Sequence, residues 1–189
     1  EFRRVLFRSG LDEAAQVYGL ATPAGVVSHT GAAGLTLGGG FGKLSRTHGL
    51  TSDNVRAIEL VTADGEFRRA TVSENPDLFW GLRGAGANFG VVTQFEYQLH
   101  PIGTEFLHGA VMHPITNAKD VVTFWGELLT KVSNEVDMSC SVIMFPNGKG
   151  FVATSAFFYG DPAEGEKQLQ PLMTFGKPMA VNFKVKKYV

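Results

Sequence analysis

A glycine-rich run constrains this chain more than any other feature of its sequence. Five of the nine residues from 34 to 42 are glycine, including the consecutive Gly38, Gly39 and Gly40. Glycines at this density remove side chains where something must approach the backbone closely. The candidates for that close neighbour are a phosphate, a flat ring, or another segment of the same chain.

The run does not match the two common phosphate-binding motifs. A P-loop needs a glycine, four residues and then Gly-Lys followed by Ser or Thr, but Gly42-Lys43 is followed by Leu44. The dinucleotide fingerprint needs its third glycine at the position that Lys43 occupies. In a second glycine cluster, residues 84–90, the third glycine comes one residue late. The sequence therefore predicts neither of these nucleotide-binding loops.

Composition is ordinary for a soluble globular protein, and it excludes several classes of function. The formal net charge of −1 gives no electrostatic reason to expect nucleic acid or an anionic membrane as a partner. Cys140 is the single cysteine, which excludes an internal disulfide and a multi-cysteine metal site, and we predict no metal. No apolar run approaches the roughly 18 residues that a membrane-spanning helix needs.

Both ends of the chain resemble cut points. The first nine residues, EFRRVLFRS, resemble translated cloning or adapter sequence, and we expect residues 1–9 to take no part in the fold. The chain stops at Lys187-Tyr188-Val189 without a terminal helix or a polar tail. We therefore expect a fragment, and neither its compartment nor its oligomeric state is predicted.

Periodicity and turn signals predict mixed helices and strands in residues 10–103. Asp64-Gly65 between two β-prone runs is a strong hairpin signal. Asn75 is expected to be the N-cap of a helix that begins at Pro76 and ends at Gly84. The last strand is expected to be buried on both faces at its start. The pattern predicts a helix over 11–18 and strands over 57–61, 67–72 and 91–99.

The distribution of glycine changes near residue 103, where we predict a domain boundary. Beyond it, glycine occurs at isolated turns such as Asn147-Gly148. The resulting order of strand, helix, hairpin and helix is typical of helices packed on one face of an antiparallel sheet. The pattern predicts strands over 106–113, 139–145 and 151–159, and helices over 118–132 and 162–174.

Three long segments occur in order between residues 10 and 103. They are GLATPAGVVSHTGAAGLTLGGGFGKLSRTHGLTSDN, LVTADGE and ENPDLFWGLRGAGANFGVVTQFEYQLHPIG. Together they closely resemble the berberine bridge enzyme-like family of FAD-linked oxidases, which share the vanillyl-alcohol-oxidase or PCMH type of FAD-binding domain. The resemblance implies an α+β fold, with the C-terminal part of that domain in residues 10–103. Residues 104–189 would be the start of a truncated substrate domain.

The resemblance also implies FAD as the cofactor and a set of residues that bind it. Backbone groups of residues 25–42 would line the flavin, because amides without side chains can donate hydrogen bonds to ring carbonyls and nitrogens. A strand that starts near Gly90 would pass the adenosine end, and Asn54 would either position its loop or touch the cofactor. The implied cofactor-binding residues are Gly25, Val26, Val27, Ser28, Thr30, Gly31, Gly34, Leu35, Gly38, Gly39, Gly40, Gly42, Asn54, Gly90, Val91 and Val92.

Many relatives hold FAD by two covalent bonds, and this chain lacks the residue for one of them. Val27 stands where those relatives have a cysteine, so a cysteine–flavin bond is excluded. The histidine of the other bond belongs to an upstream phosphate-binding loop that this sequence does not contain. We do not expect His29 or His48 to replace it, and His48, which precedes Gly49, is predicted to end a helix.

No catalytic residue is predicted. Glu105, His108, His113 and Tyr159 lack convergent spacing and are expected to be surface or strand residues. The resemblance implies hydride transfer from a small-molecule alcohol, sugar or amine-like substrate to flavin N5, with oxygen or another acceptor reoxidising the flavin. Two alternatives stay open: a truncated, non-catalytic fragment that cannot hold FAD, and a related flavin reductase of cell-wall synthesis.

Overall fold

The computed structural model describes residues 7–188, which form two compact units. The first unit extends to Thr104, and the second runs from Glu105 to Tyr188. Each unit is built on an antiparallel sheet with helices, so the fold is α+β as predicted. Within the described residues, no helix combines the length and the apolar character needed to cross a membrane.

The first unit packs its long helix against one face of a three-stranded sheet. Ile58 and Leu60 of the central strand lie in one buried cluster with Phe79 and Leu82 of that helix. The helices are α1 (Arg8–Gln16), α2 (Ala32–Leu37), α3 (Ser45–His48) and α4 (Pro76–Ala85). The strands are β1 (Leu20–Ala21), β2 (Val55–Val61), β3 (Phe67–Thr71), β4 (Val91–Tyr97) and β5 (His100–Pro101). The sheet order is β3-β2-β4, and β1 pairs with β5.

The strongest local signals of this unit are confirmed. The predicted hairpin joins β2 to β3, with Val61 opposite Phe67. Helix α4 begins at Pro76, and its backbone leaves the helical conformation at Gly84, where φ is 151°. Asn75 is the N-cap residue as predicted, but its side chain makes no capping hydrogen bond, because the residue has a left-handed backbone and its Nδ2 donates to the Arg69 carbonyl at 2.7 Å. The side chain therefore fixes the turn that leads into the helix.

Residues 7–9, part of the segment interpreted as cloning or adapter sequence, take part in the fold. Helix α1 begins at Arg8, and Phe7 forms an isolated antiparallel bridge with Gly31. The amide groups of Arg8 and Ser9 donate to the carbonyl oxygens of Thr30 and Ser28, each at 3.0 Å. Residues 7–9 are thus held by the loop before α2, whereas residues 1–6 lie outside the described part of the chain.

The start of β4 is also exposed where burial on both faces was expected. Val91 is 72% exposed and pairs with Val61, which in turn pairs with Phe67. Phe67 is 61% exposed as well. This end of the sheet therefore has an uncovered apolar row, which an apolar sequence alone does not distinguish from a buried strand.

The second unit is a four-stranded antiparallel sheet with both of its helices on one face. Its order is β7-β8-β6-β9, and α5 and α6 cover a core that includes Leu107, Val111, Phe158 and Leu169. The elements are β6 (Glu105–Pro114), α5 (Ala118–Leu129), β7 (Val136–Met144), β8 (Gly150–Tyr159), α6 (Pro162–Thr174) and β9 (Ala180–Lys187). The helix-covered sheet is as predicted, but β9 was not predicted.

Candidate functional site

The last glycines of the run pack against the chain itself. A Cβ atom added to Gly42 would lie 2.6 Å from the carbonyl oxygen of Gly25. A Cβ atom added to Gly40 would lie 2.5 Å from Thr51 Oγ1, and the Gly40 carbonyl accepts the Thr51 amide at 2.8 Å. The close neighbour of these two glycines is therefore another segment of the same chain.

Two earlier glycines face open space instead. A Cβ atom added to Gly31 or Gly34 would have no other atom within 4 Å. The loop before them is exposed too, with Val26 at 50% and Val27 at 48% exposure. We call residues 26–34 the open segment, since most of its residues are exposed, while the carbonyl oxygens of Val26, Ser28 and Thr30 accept hydrogen bonds from Arg8 and Ser9.

The open segment is held by helix α2 and its packing. The side chain of Leu35 lies between Gly25 and Gly40. A Cβ atom added to Gly25 would lie 3.1 Å from Leu35 Cδ2, and one added to Gly40 would lie 2.9 Å from Leu35 Cγ. Two residues later, Leu37 occupies the space next to Gly86, where an added Cβ atom would collide with it. Leu35, implied above as a cofactor-binding residue, thus packs its side chain against these backbone segments.

Asn54 holds the loop that follows α3. Its side chain is 4% exposed, and its Nδ2 donates to the carbonyl oxygens of His48 at 2.8 Å and Leu50 at 2.7 Å. The remaining oxygen, Oδ1, lies 2.6 Å from His100 Nε2, so that nitrogen must carry the proton and donate. Of the two roles left open for Asn54, the structure therefore shows the loop-positioning role.

Two histidines stack beside this asparagine. The rings of His48 and His100 lie 3.8 Å apart at 14°. His48 is the last residue of α3 and precedes Gly49, so the prediction that it ends a helix is confirmed. Burial lowers the pKa of His100, because it disfavours the charged ring. Both side chains therefore have structural partners, and His29 is an exposed residue of the open segment.

The residues implied at the adenosine end lie where β4 meets β2. A Cβ atom on Gly90 would collide with the Val61 carbonyl oxygen, and the φ of Gly90 is 149°. Val92 packs partly against the core of the first unit, whereas Val91 points to the exposed side. Gly90 is thus required for the start of the strand. Of Gly90, Val91 and Val92, only Val91 has a largely exposed side chain.

The titratable residues of the second unit do not converge. His113 is 1% exposed on the helix-covered face, where its ring lies 6.1 Å from that of Phe175 and burial lowers its pKa. His108 points to the opposite face by strand alternation, and Glu105 is exposed at the start of β6. Tyr159 shares the face of His108 but pairs with Phe106, two positions along β6.

Sequence reasoning missed a polar pair on that helix-free face. Ser139 and Ser155 lie directly opposite each other on β7 and β8, with their Oγ atoms 2.7 Å apart. Pairing counted outward from a two-residue turn at Asn147-Gly148 would have placed Ser139 opposite Ala156, whereas the observed register, with Met144 opposite Gly150, places it opposite Ser155. Both hydroxyl groups stand on the surface away from α5 and α6.

Comparison with known proteins agrees with the cofactor that the residues imply. Residues 9–71 match the family model of the FAD binding domain. An FAD-linked oxidoreductase of Dictyostelium discoideum is 38% identical over 179 residues, which are 95% of this chain and 39% of that protein.

Solved structures match both units. The crystal structure of 6-hydroxy-D-nicotine oxidase from Arthrobacter nicotinovorans has a TM-score of 0.89 and 30% identity, covering 96% of this chain and 41% of that one. Chitooligosaccharide oxidase has a TM-score of 0.80 and 29% identity, covering 95% and 38%. A berberine bridge enzyme-like protein of Physcomitrella patens also matches. The resemblance to these FAD-linked oxidases, and FAD as the cofactor, are confirmed.

The chain spans about two fifths of the length of the proteins it matches, as the shares of 39% and 41% show.

Proposed function

We propose that this chain is part of an FAD-dependent oxidoreductase in which the open segment, residues 26–34, lies along the flavin ring. The observation that carries the proposal is the open space over Gly31 and Gly34, in a domain that matches the FAD-binding family. Bound FAD supplies a hydride acceptor for oxidation of an alcohol, sugar or amine-like small molecule, with oxygen or another acceptor taking up the electrons.

The residues of the open segment fit a flat ring with polar edges. Glycine amides can donate hydrogen bonds to ring carbonyls without a side chain in the way, and such donors favour reduced flavin. Val26 and Val27 offer apolar contact, and the absence of a thiol at Val27 leaves that contact non-covalent. Gly40 and Gly42 pack against Leu35 and Gly25, the residues that flank the segment, whereas Asn54 holds the loop after α3.

The second unit is proposed to bind the substrate. Its helix-free face carries the hydroxyl pair Ser139–Ser155 together with His108, groups that can bind polar substituents of a small molecule. The names of two similar proteins, 6-hydroxy-D-nicotine oxidase and chitooligosaccharide oxidase, indicate amine and sugar substrates for those proteins. For this chain we propose a small-molecule substrate of the same broad range.

The proposal is tested with two open helical glycines of the same chain. Gly34 on α2 and Gly126 on α5 both have no atom within 4 Å of an added Cβ. Replacing either with alanine should leave the fold intact and add up to about 1 kcal/mol of helix stability. In a titration followed by flavin fluorescence, Gly34→Ala should weaken FAD binding at least tenfold, because its methyl group would occupy the space proposed for the ring.

The matched variant Gly126→Ala should bind FAD as the unaltered chain does. Equal affinity of all three proteins would refute the placement of FAD on the open segment. A folded, unaltered chain that shows no quenching at tens of micromolar FAD would instead favour the alternative of a non-catalytic fragment that cannot hold the cofactor.

A further inference from the structure

A pair of hydroxyl groups joins helix α2 to the sheet of the first unit. Thr36 on α2 is 1% exposed, and its Oγ1 lies 2.7 Å from the hydroxyl oxygen of Tyr97 on β4. The two residues are 61 positions apart in the sequence. This contact is therefore a tertiary link, and it acts on the helix whose first three residues belong to the open segment.

The direction of the hydrogen bonds follows from their count. Thr36 Oγ1 donates to the carbonyl oxygen of Ala32 at 2.7 Å. A hydroxyl group has one proton, so the Tyr97 hydroxyl must be the donor to Thr36. Burial raises the pKa of Tyr97 to about 12, so this phenol keeps its proton at ordinary pH. Two consecutive hydrogen bonds thus run from Tyr97 through Thr36 to Ala32.

The last acceptor of these two hydrogen bonds, the Ala32 carbonyl oxygen, lies inside the open segment. Ala32 is the first residue of α2, directly after Gly31 and two residues before Gly34. A helix of six residues has little stability of its own, and glycines add freedom that must be lost on ordering. Leu35 anchors the helix by apolar packing, and the Tyr97 hydroxyl supplies a polar anchor that reaches its first turn.

We propose that Tyr97 is a positioning residue whose hydroxyl, acting through Thr36, fixes the first turn of α2 in the conformation that binds FAD. The inference rests on the proposed function, since it concerns the same segment. A segment that is ordered beforehand loses less conformational entropy on binding. Loss of one such hydrogen bond should therefore weaken FAD binding by about two- to tenfold.

The test uses the full chain and two measurements. Hydrogen exchange without FAD reports the order of amides 35–38, of which the first donates to the Gly31 carbonyl and the last to the Gly34 carbonyl, and fluorescence titration reports FAD affinity. Tyr97→Phe and Thr36→Val should each speed exchange of these amides and weaken FAD binding about two- to tenfold, because each breaks the link. Thr36→Ser, which keeps the hydroxyl, should retain both properties. The matched control Tyr18→Phe removes a hydroxyl from a tyrosine that is 75% exposed and should change neither.

The double variant distinguishes a link from two separate effects. If Tyr97 acts through Thr36, combining Tyr97→Phe with Thr36→Val should weaken FAD binding less than the sum of the single effects. Additive effects, or a Tyr97→Phe variant with unchanged exchange and affinity, would overturn the inference. So would faster exchange spread evenly over β2 and β3, which would show a general loss of stability.

Failure of the proposed function has a different signature. If the unaltered chain binds no FAD, the proposed cofactor site is refuted, and the positioning role toward FAD is refuted with it. If the unaltered chain binds FAD and Tyr97→Phe binds it equally well, the cofactor site stands and only the role of Tyr97 is refuted.

Discussion

Replacing Gly42 with alanine is the sharpest test of how the glycine run folds. The added Cβ would lie 2.6 Å from the carbonyl oxygen of Gly25 and 2.9 Å from both its carbonyl carbon and its nitrogen. All three atoms are backbone, so no change of rotamer can relieve the overlap. Overpacking of this kind costs about 1–3 kcal/mol, and a rigid backbone neighbour places the expected loss near 3 kcal/mol.

Urea unfolding followed by circular dichroism measures this loss. The φ of Gly42 lies outside the left-handed region, so the result reports the contact with Gly25 and not backbone strain. Gly34→Ala is the matched control, because it adds the same methyl group to the same run where no atom lies within 4 Å. If Gly42→Ala proves no less stable than Gly34→Ala, the close packing of the two glycine loops is refuted.

Three further substitutions have defined expectations. Asn54→Ala leaves the partly buried carbonyl oxygens of His48 and Leu50 without their donor and should lower the free energy of unfolding by about 1–3 kcal/mol; a loss below about 0.5 kcal/mol in urea would contradict its loop role. Burial raises the pKa of Asp12 from 3.8 to about 6, so the stability it contributes is complete below pH 3.8 and is lost as the pH rises through about 6. Asp12→Asn also removes the ion-pair partner of Arg8, so its effect on the free energy of unfolding should be more favourable at pH 8 than at pH 4, by up to about 3 kcal/mol; an effect that is independent of pH would disprove this. Gly81→Ala should cost about 1–3 kcal/mol because its Cβ would lie 2.7 Å from Phe89 Cζ, and Phe89→Leu in the same chain should recover most of that loss, which thermal unfolding of both variants can check.

Elements with local start and stop signals could be predicted from the sequence. Helix α6 has the predicted bounds, Pro162–Thr174, because Asp161 caps it by accepting the Ala163 amide at 2.9 Å and Pro162 fits its first turn. The hairpin at Asp64-Gly65 followed in the same way from its turn residues. In each case the information lies within a few neighbouring residues.

Contacts between distant residues could not be predicted from those signals. The sequence does not distinguish the five glycines between residues 34 and 42, yet Gly42 packs on Gly25 while Gly34 faces open space. The link from Thr36 to Tyr97 joins two elements whose pairing no local pattern specifies. The exposure of Val91 depends likewise on what covers the sheet, and an apolar strand has the same pattern in either case.

The packed and the open glycines depend on each other. Gly25 directly precedes the open segment, so its contact with Gly42 fixes where that segment leaves the core. Leu35 directly follows it and can lie between Gly25 and Gly40 only because neither has a side chain. A larger residue at any of these three glycines would displace one end of the segment. Most of the dense glycines therefore let the chain pack on itself and so position the segment proposed to bind the flavin, whereas Gly31 and Gly34 are the two proposed to contact the cofactor.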